Sequence, residues 1–334
     1  MDWMKWIRET LEMRWQLLVQ LGREASAPGG ESPQGKRQNR FETAAVQFTN
    51  YSAIKSQSNV QIEGYPYDPA TTPHPLWTVY DDPQGGTVGF SRGIDAGGSV
   101  TDLSVGSLLL VQENGPYPTF GSLKYAGNLD LRNGAIYLSD GKTAFRIKPG
   151  MEPEKLVTKP MYNRHYPVIG TENTRRANSF WSFLIGHPLY PQVVGDSHST
   201  LAMFLDTALG VIDFTVNANL PGIMGGGNRG DDLGAAAVFF RAMGAYAVQV
   251  QAWGNRIAVV GSLDNAPYSF DGQTQVVLAP TEAIANHYLA RINRSLLSPV
   301  GDHGQCVADV LAVLYNTSVP DERWQLPVVD DGTK

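Results

Sequence analysis

The sequence lacks what a multi-cysteine site or a membrane span requires. Cys306 is its lone cysteine among 334 residues, which excludes an intrachain disulfide and any zinc or iron–sulfur centre built from several thiolates. No run approaches the ~18 apolar residues of a membrane-crossing helix, so no transmembrane segment is expected. The N-terminus has no continuous apolar stretch before a small-residue cleavage site, so no signal peptide is expected either. Basic residues are also scarce. Lys and Arg number 26 against 32 Asp and Glu, a net charge of −6, and this argues against an extensive nucleic-acid surface.

What is present points to a folded, turn-rich protein. An apolar fraction of 42% supplies a sizeable core, and 35 Gly with 21 Pro break the chain into short elements. Trp3, Ile7, Leu11, Trp15 and Leu18 recur at helical spacing, with Trp6 widening the stripe, so an amphipathic N-terminal helix is expected. Residues 25–40 read as a Gly/Pro linker that ends in the cations Lys36, Arg37 and Arg40. Residues 1–40 are therefore expected to form an arm whose stripe, with those cations, docks on a neighbouring subunit.

Residues 41–150 read as a β-rich domain with an antiparallel sandwich or barrel-like body. Its predicted strands are Ala45 to Thr49, Val60 to Ile62, Trp77 to Tyr80 and Ser107 to Val111. Between Leu129 and Ile147, Asn133-Gly134 and Asp140-Gly141 mark the tight turns of a three-stranded meander. Residues 151–334 read as an α/β domain, with strands at Gln192 to Val194, Val211 to Val216, Arg256 to Val260 and Gln275 to Ala279. Helices are predicted at about Thr200 to Leu209, Leu233 to Gln249, Thr281 to Leu296 and Gln305 to Leu314. The expected class is α+β, rich in strand.

Chemistry is sparse. Gly195-Asp196-Ser197-His198 follows a short apolar run and precedes a helix, and this block resembles the nucleophile block of the SGNH (GDSL-like) hydrolases. The resemblance covers roughly ten residues. It implies Ser197 as nucleophile and, from the late block, Asp302 and His303 as the partners that activate it. Two departures stand against it. Gly261-Ser262-Leu263-Asp264-Asn265 scrambles the family's Gly-x-Asn-Asp pattern, and Asp302 and His303 are adjacent rather than three apart. The glycine-rich stretch Gly222 to Gly230 precedes Asp231-Asp232, which repel an anion at that helix end. The acidic pairs Asp81-Asp82, Asp231-Asp232 and Asp330-Asp331 read as solvated turns, with no EF-hand pattern. No metal or cofactor is expected.

With an arm, exposed loops and no complete catalytic set, the leading expectation is a structural assembly subunit rather than an enzyme. A virion or phage capsid or tail protein, or a soluble cytoplasmic assembly, fits best, with copies of itself and other structural subunits as partners. The alternatives are an SGNH-type serine esterase with a β accessory domain and a carbohydrate-binding module.

Overall fold

The computed structural model describes residues 2–31, 37–56, 60–62, 76–85, 106–160, 168–170, 192–194, 200–218, 228–253, 256–269 and 272–296. In chain order its helices are Trp3–Leu21 (α1), Arg40–Ser56 (α2), Thr200–Leu209 (α3), Gly230–Met243 (α4) and Glu282–Leu296 (α5). A short antiparallel pair, Pro28–Glu31 (β1) with Arg37–Asn39 (β2), stands between α1 and α2.

Val60–Ile62 (β3), Trp77–Gly85 (β4), Gly106–Glu113 (β5), Leu123–Asp130 (β6), Ile136–Ser139 (β7), Ala144–Ile147 (β8) and Glu154–Lys155 (β9) form a seven-stranded sheet in sequential order. β3 runs parallel to β4 and every later neighbour is antiparallel. The second sheet is built from Val168–Gly170 (β10), Gln192–Val194 (β11), Phe214–Asn217 (β12), Tyr246–Trp253 (β14), Arg256–Ser262 (β15) and Val276–Ala279 (β17). Its order is β11-β10-β12-β17-β14-β15. β10 pairs in parallel with β11 and β12, and the remaining pairs are antiparallel. Asn228–Arg229 (β13) and Gln273–Thr274 (β16) make a separate two-stranded pair.

Alternation along β5 explains the layering. Leu109 and Val111 pack with Trp3, Ile7 and Leu11 of α1 and Phe41 and Ala45 of α2. Leu108 and Leu110 point the other way, into a core shared with α3 and α4. Because the first sheet is covered on both faces, β5 reads as a continuous apolar run. Val276 and Leu278 of β17 close the far side of the α3/α4 core, while Val277 and Ala279 pack on Ala285, Leu289 and Ile292 of α5. The layers are thus helices, sheet, helices, sheet, helix. The α+β class is as expected. Neither sheet closes into a barrel, and a helical layer lies between them.

The N-terminal stripe is covered by its own chain. Trp3, Trp6, Ile7, Leu11 and Leu18 are buried, Trp15 is partly buried, and Trp3 meets Trp77 of β4 at 5.6 Å between ring centroids. The docking arm is therefore corrected: the apolar face of α1 lies on β6 and β7 of its own sheet. Gly127 of β6 permits that approach. A Cβ there would come within 2.2 Å of Ile7 Cγ2 and 2.9 Å of Leu11 Cδ1. Gly127→Ala is expected to lower the unfolding free energy by about 1–3 kcal/mol through overpacking, as read by urea titration; an unchanged midpoint contradicts this contact.

Other local readings hold or fail for identifiable reasons. The meander is as expected, with Leu129 opposite Ile136, Ser139 opposite Ala144, and positive φ of 74° at both Gly134 and Gly141. Ala45 to Thr49, read as a strand, lies in α2. Asn39 and Glu42 form a reciprocal capping box there, with Glu42 N–H donating to Asn39 Oδ1 at 2.8 Å and Asn39 N–H to Glu42 Oε2 at 2.9 Å. The helix expected to reach Gln249 stops at Met243 before Gly244, whose φ is 69°, and Val248 and Val250 then alternate inward along β14. The helix expected from Gln305 to Leu314 lies outside the described residues.

Candidate active site

The Ser197, Asp302 and His303 set lies outside the described residues, as does Lys36. The strand before Ser197 and the helix after it are as expected, as β11 and α3. Arg37 and Arg40 are exposed, and Arg40 pairs with Glu24 at 2.5 Å. Neither contributes to the polar site found elsewhere.

That site arises from sheet register. Asp82 is opposite Leu108, Leu108 opposite Asn128, Asn128 opposite Tyr137, and Tyr137 opposite Arg146. Directly paired residues share a face, and Leu108 packs into the α3/α4 core. The row Asp82, Asn128, Tyr137, Arg146 therefore belongs to the face that the two helices cover. Asp130, two residues beyond Asn128 in β6 and so on the same face, is 6% exposed. Arg132 grips it with Nε to Oδ1 at 2.9 Å and Nη2 to Oδ2 at 2.6 Å, and Asn133 Nδ2 adds a third bond at 3.0 Å.

Asp206 of α3 completes this end of the layer. Burial pushes its carboxyl up to about 6, opposed by the Arg132 charge and reinforced by Asp130. Tyr137 is also raised, first by burial and then by Asp130, while Arg146 acts against the shift. Arg146 is itself paired with Glu154 at 2.6 Å.

At the other end of the row, adjacent carboxylates part company. Asp81 points to the α1/α2 face, where Arg14 Nη2 meets both its carboxylate oxygens at 2.7 Å. The same guanidinium donates to Ser107 Oγ at 2.8 Å and Thr49 Oγ1 at 2.6 Å. Asp82 points to the α3/α4 face. A β-bulge follows, because the register shifts between Asp82 and Gly85, and such bulges re-aim side chains. Within it, Gln84 N–H donates to Asp82 Oδ1 at 3.3 Å, and Asn39 Nδ2 donates to Gln84 Oε1.

Helix α4 covers the same face. Gly234 lies over β5, where a Cβ would meet Leu110 Cδ2 at 2.7 Å, while Ser139 Oγ of β7 donates to Val238 O at 3.3 Å. The helix therefore crosses from β5 towards β7 on the face that holds Leu108 and Leu110. Among the described residues no three His, Cys, Asp or Glu side chains gather as a metal cluster.

Sequence reading treated Asp81-Asp82 as a solvated turn and missed this row. Two consecutive Asp at the end of a β-prone run were the available signal. In a strand they must face opposite sides, so at least one enters a covered layer.

No protein-family model matches the sequence, and no curated protein sequence matches it. Solved structures do. The Thermotoga maritima IMPase superimposes with a TM-score of 0.57 at 11% identity, over 93% of this chain and 100% of that one. The fructose-1,6-bisphosphatase of Leishmania major gives 0.57 at 13% identity, over 84% of this chain and 93% of its own. The extragenic suppressor protein suhB of Bartonella henselae gives 0.57 at 12% identity, over 90% and 100%. At these identities the likeness is one of fold. It corrects the leading expectation all the same: the fold is that of solved phosphatases, not of a virion, capsid or tail subunit, and not of an SGNH esterase. The expectation of a non-enzyme is corrected with it. Among the described residues no helix is long and apolar enough to cross a membrane.

Proposed function

We propose that this chain is a phosphatase that hydrolyses a phosphate monoester of a small hydroxylated molecule. The observation that carries the reading is the shared fold over nearly the whole chain, since its solved neighbours are named for inositol monophosphate and fructose 1,6-bisphosphate hydrolysis. The polar row on the face covered by α3 and α4 supports it, with the carboxylates of Asp82 and Asp130 brought to one side of the sheet.

A phosphate dianion and the Asp82 carboxylate repel each other, so a cation between them is required on electrostatic grounds. Asp82 is the carboxylate of the row that would help to hold one. When bound, such a cation supplies Lewis-acid polarisation of the phosphoryl oxygen. The chain's own contribution is to fix Asp82 through the bulge and to exclude water with the α3/α4 layer.

The test is orthophosphate release from a panel of sugar and polyol monophosphates and p-nitrophenyl phosphate, with Mg²⁺ or Mn²⁺ present. Activity on at least one member is expected, and Asp82→Asn is expected to reduce kcat about a hundredfold, the scale of losing one electrostatic stabiliser. A wild-type protein inert across the panel with either metal removes the proposal.

A further inference from the structure

Gln84 is 2% exposed, and its Nε2 has no hydrogen-bond partner. A buried donor left unmade costs about 1–3 kcal/mol, so an orphan of this kind calls for an explanation. The orientation of its amide is settled by its neighbours. Asn39 Oδ1 is occupied by the Glu42 N–H in the cap of α2, which leaves Asn39 Nδ2 as a donor, and that donor meets Gln84 Oε1. The oxygen end of Gln84 is therefore the end that faces Asn39, and the nitrogen end faces away.

Gln84 lies in the bulge of β4, two residues after Asp82 and tied to it through its own N–H. We infer that Gln84 is a substrate-binding group whose Nε2 donates to a phosphate oxygen of the substrate, with Asn39 as the positioning residue that orients it, a role that rests on the phosphatase reading above. An anionic oxygen is the acceptor that gains most from such a donor, because hydrogen bonds to charged groups are the stronger ones. The capping box of α2 thereby acquires a second task, since the same Asn39 side chain that starts the helix also turns the Gln84 amide.

Two variants separate this role from mere packing. Gln84→Met keeps the side-chain length and removes the donor. Asn39→Asp keeps a good N-cap but presents only acceptors, so it draws Gln84 Nε2 to itself and takes the donor from the substrate. Inorganic phosphate with Mg²⁺ is the probe, titrated by calorimetry, alongside KM and kcat on the best monophosphate of the panel. Both variants are expected to weaken phosphate binding and raise KM by roughly tenfold or more, with kcat within about twofold. Their thermal midpoints should remain near that of the wild type. A wild type that binds phosphate and turns over substrate, with both variants matching it in affinity and KM, overturns the role of Gln84 and leaves the phosphatase reading standing. A wild type that neither binds phosphate nor turns over any substrate removes both.

Discussion

Arg14→Met is expected to lower the unfolding free energy by about 3–5 kcal/mol, the cost of breaking a buried ion pair from one side. The guanidinium is 1% exposed and ties four elements at one point: Asp81 of β4, Ser107 of β5, Thr49 of α2 and its own helix α1. Burial alone pushes the Asp81 carboxyl up, and the Arg14 charge and hydrogen bonds are what oppose that shift. With the cation gone, Asp81 either remains charged in an apolar layer or takes up a proton. The deficit of the variant should therefore grow as the pH is raised from acid to neutral, because protonation relieves it at low pH. Urea unfolding at several pH values measures this. The double variant Arg14→Met, Asp81→Leu should recover most of the loss, since a well-packed apolar pair often matches a buried ionic one. A single variant that loses less than about 1 kcal/mol would show the pair to be no more than a surface contact in energy. Arg14 Nε is buried without a partner, which already marks this pair as one that fixes position more than it stabilises.

Asp206→Asn should act in the opposite sense. The Asp206 carboxyl titrates near 6 in the folded protein against an ordinary value of 3.8, with burial as the largest cause. A raised carboxyl favours the folded state fully below its unfolded value, and that contribution is lost as the pH rises towards 6. At neutral pH the wild type holds a charge that its surroundings disfavour. Asparagine removes that charge, so the variant should gain about 1–3 kcal/mol at pH 7.5 and nothing at pH 3.5. The groups that face Asp206 are Arg132, which favours its charge, and Asp130, which opposes it. A stability difference that stays flat between these pH values would mean that the Asp206 carboxyl titrates alike in the folded and unfolded states, and the assigned shift would be wrong.

The sequence carried local structure well and long-range register poorly. Asn133-Gly134 and Asp140-Gly141 announced the meander because tight turns demand positive φ at fixed places. The α1 stripe was equally clear, but periodicity says that a face is covered and not by what. Here Gly127 of β6 supplies the seat, more than a hundred residues downstream. The β-prone look of Ala45 to Thr49 misled because Phe41, Ala45 and Val46 are also spaced to bury one side of a helix, and the Asn39 and Glu42 cap decides between the two readings. The candidate site was least legible. Asp82, Asn128, Tyr137 and Arg146 are neighbours only through the pairings of β4 to β8, and no spacing within the chain displays that. The Asp-Ser-His triplet attracted attention by being contiguous, whereas this site is assembled across strands.

The α3/α4 layer also sets an order on synthesis. Leu108, Leu110 and Leu123, all in strands complete by residue 130, share a core with Leu205, Leu233 and Phe239. As the chain leaves the ribosome, one side of the first sheet stays uncovered until roughly a hundred further residues have been made, a span in which a nascent chain is exposed to aggregation. The interval ends when α4 emerges, since its Leu233 and Phe239 then seal that face of the half-finished protein.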